Sequence, residues 1–199
     1  MRLSVEFWFD FASTYSYLSA MRVEEVAAAH DVDVHWKPFL LGPIFAKQGW
    51  TDSPFNIYPA RGRYMLQDMQ RLCNERGLSF RMPAAFPARS ITANRLGLVA
   101  LDEAWGVEFV KSVFNAEFGE GRDIGDDVVL RSLLADIGQD ADVMFERALS
   151  IENKGRLKQQ TAEAETKGIF GAPTFVIESG GLFWGDDRLI SAIKSVSYL

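Results

Sequence analysis

The chain has 199 residues, enough for one well-buried core or for a small domain carrying a second inserted within it, and too few for a multidomain machine. At 48% hydrophobic and 24% charged, with no repeat or low-complexity tract, it reads as an ordered globular protein. A formal net charge of −6 argues against a nucleic-acid surface, which needs clustered Lys and Arg, and leaves small molecules as the expected partners.

The first nine residues are too short and too interrupted by polar side chains for a signal peptide or a membrane span, so a cytoplasmic location and no membrane partner are expected. Residues 3–9 alternate, with Leu3, Val5, Phe7 and Phe9 on one face, which predicts a strand ended by Asp10-Phe11-Ala12-Ser13. From Thr14 to about His30 a broad apolar stripe of Leu18, Met21, Val23, Val26 and Ala27 predicts one helix. Residues 32–37 alternate again as a second strand, closed by Pro38, so the chain opens as β-α-β.

The stretch from Phe39 to Pro59 is different in kind. Gly42, Pro43, Gly49, Pro54 and Pro59 break it up, and Phe45, Trp50, Phe55 and Tyr58 make it aromatic, a combination suited to walling a binding site. Helices follow. Met65, Met69, Leu72 and Cys73 share a face that stops at Gly77; Asn94, Leu98, Leu101 and Trp105 line a helix ending at Gly106; Val107, Val110, Val113 and Phe114 line the next. Asp126 is placed to cap a helix containing Leu130, Leu133, Leu134 and Ile137, with two more at about 140–149 and 151–167. Then Phe175-Val176-Ile177 and Leu182-Phe183-Trp184, joined through Ser179-Gly180-Gly181, predict an antiparallel hairpin, and a last helix runs from about Asp187 to Val196. The expected fold class is α/β: a split β-α-β … β-β-α domain with an inserted all-helical domain.

A single cysteine, Cys73, permits neither an internal disulfide nor a C-x-x-C pair, and is expected to pack on a helix face; His30 and His35 offer little for a metal, and none is expected. Any thiol chemistry must borrow its thiol. Three places carry chemistry. Ser13, at a strand-to-helix junction, is either a helix N-cap or the partner of a bound thiolate or oxyanion. Gly171-Ala172-Pro173-Thr174 precedes a strand, where a trans proline is the default on sequence alone. Asp186 and Asp187, in Gly185-Asp186-Asp187-Arg188, open the last helix, where acidic residues ordinarily serve as caps.

In their order these blocks resemble one branch of the thioredoxin superfamily, that of kappa-class glutathione transferases and 2-hydroxychromene-2-carboxylate isomerases. Phe9-Asp10-Phe11-Ala12-Ser13-Thr14-Tyr15-Ser16-Tyr17-Leu18 is similar to its F-D-x-x-S-P-[YF]-S-Y-L signature, and Lys37-Pro38-Phe39-Leu40-Leu41-Gly42, Gly62-Arg63-Tyr64-Met65, Gly171-Ala172-Pro173 and Phe183-Trp184-Gly185-Asp186-Asp187-Arg188 follow in family order. The resemblance implies a thioredoxin-like domain of residues 1–40 and 166–199, an inserted helical domain of residues 41–165, and a homodimer. It also implies glutathione as cofactor, with Ser13 at the thiolate, Ala172 pairing its backbone with the glutathione cysteine before a cis Pro173, and Asp186 and Asp187 at the γ-glutamyl end. Lys47, Trp50, Ser53, Pro54, Asn56 and Phe86 are the implied substrate residues.

Departures from the pattern are Thr14 where the signature has Pro, Asp186 where a Ser or other polar residue is commoner, and an uncertain register for Lys47. Lys47, Arg61, Arg63 and Arg89 are all candidate anchors for a substrate carboxylate. Lowering a thiol pKa from about 8.5 by two units needs about 2.7 kcal/mol. A helix N-terminus supplies about 0.3–1 kcal/mol, whereas a hydroxyl hydrogen bond to charged sulfur adds about 1.5–3 kcal/mol, so the serine hydroxyl carries most of the requirement. The implied activity is a glutathione-dependent cis–trans isomerisation of 2-hydroxychromene-2-carboxylate or a related intermediate of aromatic breakdown. The alternatives are a kappa-like glutathione transferase and a noncatalytic glutathione-binding module, while disulfide exchange is disfavoured by the missing second cysteine.

Overall fold

Val5, Phe7 and Phe9 leave one face of β1 (Leu3–Phe9) and Trp8 the other, and all four are buried, so the strand must lie inside a sheet covered on both faces. In the computed structural model, which describes residues 3–196, it is an inner strand of a four-stranded sheet of order β2-β1-β3-β4. β2 (Val32–Pro38) pairs parallel to β1, with Val34 opposite Val5 and Trp36 opposite Phe7. β3 (Thr174–Ile177) pairs antiparallel on the other side, placing Phe175 opposite Phe7, and β4 (Leu182–Trp184) closes the hairpin with Phe183 opposite Phe175. Phe7 stacks on Phe175 at 5.4 Å and meets Trp36 edge-on at 5.0 Å, so aromatic contacts across the strands set the register. The sheet is the expected one. The residues at the ends of the anticipated split domain, 1–2 and 197–199, lie outside the described residues.

The anticipated helix from Thr14 to His30 is two: α1 (Thr14–Ala20) and α2 (Val23–Ala28). Arg22 separates them at a non-helical φ of −133° and sends its guanidinium to Asp186. Apolar periodicity runs through the break because side chains of both helices, Leu18, Val23 and Ala27 among them, pack into the same apolar cluster, which is why the sequence reads as continuous.

Between β2 and β3 the chain is helical: α3 (Leu41–Lys47), α4 (Pro54–Ile57), α5 (Pro59–Glu75), α6 (Ile91–Ala100), α7 (Gly106–Phe114), α8 (Asp127–Asp136), α9 (Ala141–Leu149) and α10 (Ile151–Thr166). The broken segment after Phe39 thus contains two short helices, with Pro43 inside the first turn of α3 and Pro54 opening α4, positions a proline tolerates. α6 stops at Ala100 rather than running to Trp105, which lies in the turn before α7. Gly106 is a start, not a stop: a β-carbon there would overlap the Ala100 carbonyl, so only glycine lets the chain reverse so tightly. Asp126 caps α8 by accepting from the Val128 N–H, as expected. After β4 a 3₁₀ turn (Asp186–Arg188) leads into α11 (Leu189–Val196), so the final helix begins two residues later than the pattern suggests. One apolar cluster joins β1, α1 and α2 to α5–α9 and α11, and a smaller one on the opposite sheet face gathers Trp8, Phe39, Ile44, Ala164, Ile169 and Val176.

A π-helical turn (Asn115–Gly119) extends α7 and carries Glu117 into the core with no exposed surface. One carboxyl oxygen accepts the Ile124 N–H at 3.1 Å and the other has no hydrogen-bond partner among the described residues. Burial, reinforced by Asp123 and only partly offset by that hydrogen bond, pushes the Glu117 carboxyl up to about 8. A carboxyl raised on folding contributes stability that is complete below its unfolded value and is lost as pH climbs through the folded one. Stability is therefore expected to fall from about pH 5 to pH 8 by roughly 2–4 kcal/mol, and Glu117→Gln to flatten that slope, as read by urea unfolding at both pH values. Parallel pH profiles for the two proteins would remove Glu117 as the cause.

Candidate active site

Asp10 leaves the end of β1 and starts the turn that delivers Ser13 to the N-terminus of α1. Ser13 is the N-cap of that helix, in extended conformation (φ −96°, ψ 115°), and its side-chain oxygen accepts the Ser16 N–H at 3.2 Å. Its hydroxyl proton goes elsewhere, donated to the Ala172 carbonyl at 3.0 Å across 159 residues of sequence. The two sites read separately in the sequence are one place in the fold. The Ala172–Pro173 bond is cis, as the resemblance implies and contrary to the default for an isolated X–Pro.

Both residues open onto a cavity of about 1620 Å³. Its floor is Asp10, Ala12, Ser13, Ala172 and Pro173; α3 and the following turn add Leu41, Phe45 and Trp50; α4 and its approach add Ser53, Pro54 and Phe55; Phe86 and Pro87, joined by a second cis bond, close another side. Gly171 admits Trp184 to this wall, because a β-carbon at Gly171 would strike the indole nitrogen. Of the anticipated substrate residues, Trp50, Ser53, Pro54 and Phe86 line the cavity. Lys47 and Asn56 do not: Lys47 points into solvent, 71% exposed, and pairs with Glu165 at 2.5 Å, while the Asn56 amide donates to Asp52 and to the Phe86 carbonyl. Lys47→Ala is accordingly expected to change stability by less than about 0.5 kcal/mol, measurable by thermal unfolding.

Arg61 and Arg89 line the cavity and Arg63 does not. Arg61 stacks on the Tyr58 ring at 4.7 Å. The Arg89 guanidinium holds no hydrogen bond or ion pair among the described residues.

The two neighbouring aspartates part company. Asp186 is buried, and its carboxylate accepts from Ser19 Oγ at 2.9 Å, Arg22 Nη2 at 3.1 Å and Arg76 Nη2 at 2.6 Å, while its carbonyl accepts Arg22 Nη2 at 2.8 Å. Asp187 is 74% exposed and, among the described residues, its carboxylate pairs only with Arg188, at 3.4 Å. Both line the cavity, but only Asp187 has a carboxylate to spare for a ligand. Nothing in the sequence pointed to Arg22 and Arg76, which sit at a helix break and a helix end. Asp10, Tyr15 and Asp68 were not singled out for the site either. Burial, and then the 2.9 Å hydrogen bond it donates to Asp68, hold the Tyr15 phenol well above its ordinary range, so it remains a neutral phenol.

The remaining thiol is not part of this site. Cys73 is fully buried, and burial pushes it up to about 11, so it packs as a small apolar group. Among the described residues no group of three His, Cys, Asp or Glu side chains is placed to hold a metal, and no helix is long and apolar enough to cross a membrane.

Comparison with known proteins finds relatives over nearly the whole chain. A 2-hydroxychromene-2-carboxylate isomerase of Sphingobium xenophagum is 27% identical over 192 residues, covering 95% of each chain. Glutathione s-transferase kappa 2 of Caenorhabditis elegans is 25% identical over 205 residues, covering 94% of this chain and 89% of that protein. Among solved structures, a 2-hydroxychromene-2-carboxylate isomerase superposes with a TM-score of 0.88 at 24% identity, covering 98% of this chain and 95% of the other. A family model matches residues 4–192, nearly all of the described chain, and by it this protein belongs to the DSBA-like thioredoxin domain family.

Proposed function

We propose that the protein is a glutathione-dependent isomerase of 2-hydroxychromene-2-carboxylate or a related aromatic carboxylate. The observation that carries the reading is the Ser13 hydroxyl, held at the α1 N-terminus against the Ala172 carbonyl and facing an aromatic-walled cavity. The donor set fits the cofactor: a hydroxyl for a thiolate, a backbone segment before Pro173 for a cysteinyl backbone, and the exposed Asp187 carboxylate for an α-ammonium.

Glutathione, when bound, supplies a thiolate that adds reversibly to a conjugated double bond. The chain's own part begins with Ser13, whose hydroxyl rotates from the Ala172 carbonyl to the sulfur, stabilising negative charge there and releasing that carbonyl to accept a ligand N–H. Phe45, Trp50, Phe55 and Phe86 shield the reacting atoms from water, which strengthens every charge interaction inside. Arg89, with no competing partner among the described residues, takes the acceptor's carboxylate, and Arg61 assists from its place on Tyr58. Arg89→Ala is expected to raise KM for a carboxylated acceptor about tenfold while leaving glutathione affinity unchanged. Steady-state kinetics with acid and ester forms of one acceptor check this, the ester showing no penalty.

The decisive test is calorimetric titration with glutathione, paired with ultraviolet monitoring of 2-hydroxychromene-2-carboxylate with and without it. Binding together with glutathione-dependent isomerisation supports the reading, and absence of binding overturns it. Binding with sulfur retained in the product moves the assignment to a transferase, which the kappa relative makes the natural second reading.

A further inference from the structure

Asp10 is 2% exposed, yet its carboxylate meets no cation among the described residues. Its partners are three N–H donors from three separate parts of the chain. Oδ1 accepts the Ala12 N–H at 3.1 Å and the Asn94 amide of α6 at 3.0 Å, and Oδ2 accepts the Leu41 N–H at 2.8 Å. The Asp10 carbonyl in turn accepts the Ser13 N–H at 2.9 Å.

Leu41 is the first residue of α3, and the residue in its N-cap position, Leu40, brings no capping side chain. A helix start has unanswered N–H groups, normally met by the preceding residue. Here Asp10 supplies the cap from 31 residues away. α3 then presents Leu41 and Phe45 to the cavity, while the turn that Asp10 braces presents Ser13. One buried carboxylate therefore joins the sulfur side of the site to the wall on which an acceptor rests.

We infer that Asp10 is a positioning residue that sets the distance between the Ser13-held sulfur and the acceptor through its cap on α3. The inference rests on the proposed glutathione chemistry. Only a carboxylate can satisfy all three donors. In Asp10→Asn one oxygen becomes an NH₂ group, which must face either the Leu41 N–H or the Ala12 and Asn94 donors, and a buried donor facing a donor is strongly disfavoured.

The experiment compares wild type and Asp10→Asn by hydrogen exchange, by glutathione calorimetry, and by steady-state kinetics with 2-hydroxychromene-2-carboxylate. Exchange across residues 41–47 is expected to quicken about tenfold or more, with residues 14–20 unchanged. Glutathione Kd should stay within about threefold, while acceptor KM rises about tenfold and kcat changes less. Leu41→Pro is the second variant. It deletes the N–H at the other end of the bond, at a helix position proline tolerates, and Leu40 already has the extended conformation (φ −108°, ψ 120°) that precedes a proline. It should reproduce the change in α3 without touching Asp10.

Unchanged exchange over 41–47 in both variants overturns the inference. So does a parallel fall in glutathione affinity, turnover and thermal midpoint, which is what a merely structural role would produce. If wild type itself fails to bind glutathione, the functional reading falls, and the exchange comparison still decides whether Asp10 holds α3.

Discussion

Ser13→Ala is expected to lower glutathione-dependent turnover at neutral pH by roughly 10- to 150-fold, the rate equivalent of losing a hydroxyl hydrogen bond to charged sulfur worth about 1.5–3 kcal/mol. The bound thiol should lose one to two pKa units of its lowering, so the acid limb of the pH–rate profile moves to higher pH by about that amount. At alkaline pH the variant should recover most of its rate, because the thiolate then forms without help. Two smaller effects accompany the loss. The Ser16 N–H loses its cap acceptor, at a cost of about 1 kcal/mol in stability, and the Ala172 carbonyl loses its donor. Ser13→Thr restores a hydroxyl at the same carbon and is the control. Calorimetry, thermal unfolding and the pH profile together separate the outcomes. An unmoved acid limb with retained turnover would show that the hydroxyl is not the sulfur's partner, whatever the helix contributes.

The second large effect is predicted at Asp186, and it falls on stability. Removing its carboxylate in Asp186→Ala leaves the Arg22 and Arg76 guanidinium groups facing each other's charge, with their side chains only 22% and 23% exposed. Stripping one member from a buried ionic group costs several kcal/mol, because the charge left behind has lost both its water and its partner. An expected loss of about 2–4 kcal/mol corresponds to a fall of roughly 5–15 °C in Tm for a chain of this size. Asp187→Ala should do the reverse, moving Tm by less than about 1 °C while weakening glutathione binding about tenfold through the lost ammonium contact. Thermal unfolding and calorimetry on the two variants test the contrast. If Asp186→Ala unfolds no earlier than wild type, the buried network is not holding the end of β4 to α1 and α5; if Asp187→Ala binds normally, the γ-glutamyl end lies elsewhere.

These two aspartates show where sequence reading stops. Side by side at a helix start they have the same chemistry and the same local signals, and both were assigned to the ligand. The 3₁₀ turn points one carboxylate inward to Ser19, Arg22 and Arg76 and the other outward to solvent. Lys47 is a similar case: its position after Gly42 suggested the cavity, but the α3 turn carries it round to Glu165. A side chain's direction depends on helix phase and on a partner from a distant element, and neither is written in local sequence.

What the sequence determined by itself is what repeats locally. Strand alternation at residues 3–9 and 32–37, the hairpin around residues 175–184, and the helical faces of Met65, Met69 and Cys73 or Leu130 and Leu134 all follow from side chains choosing between two sides of an element. The missing second cysteine, the serine at the helix start and the absence of any basic excess likewise needed no coordinates. Tertiary structure alone decided the break at Arg22, the end of α6 at Ala100 and the 159-residue hydrogen bond from Ser13 to Ala172. It also decided that Asp10 caps a helix that begins 31 residues further along the chain. The Arg22, Ser13 and Asp10 contacts are long-range pairings of polar groups, and such groups take whatever partner the packed fold brings within about 3 Å, since burial without one costs more than any local preference supplies.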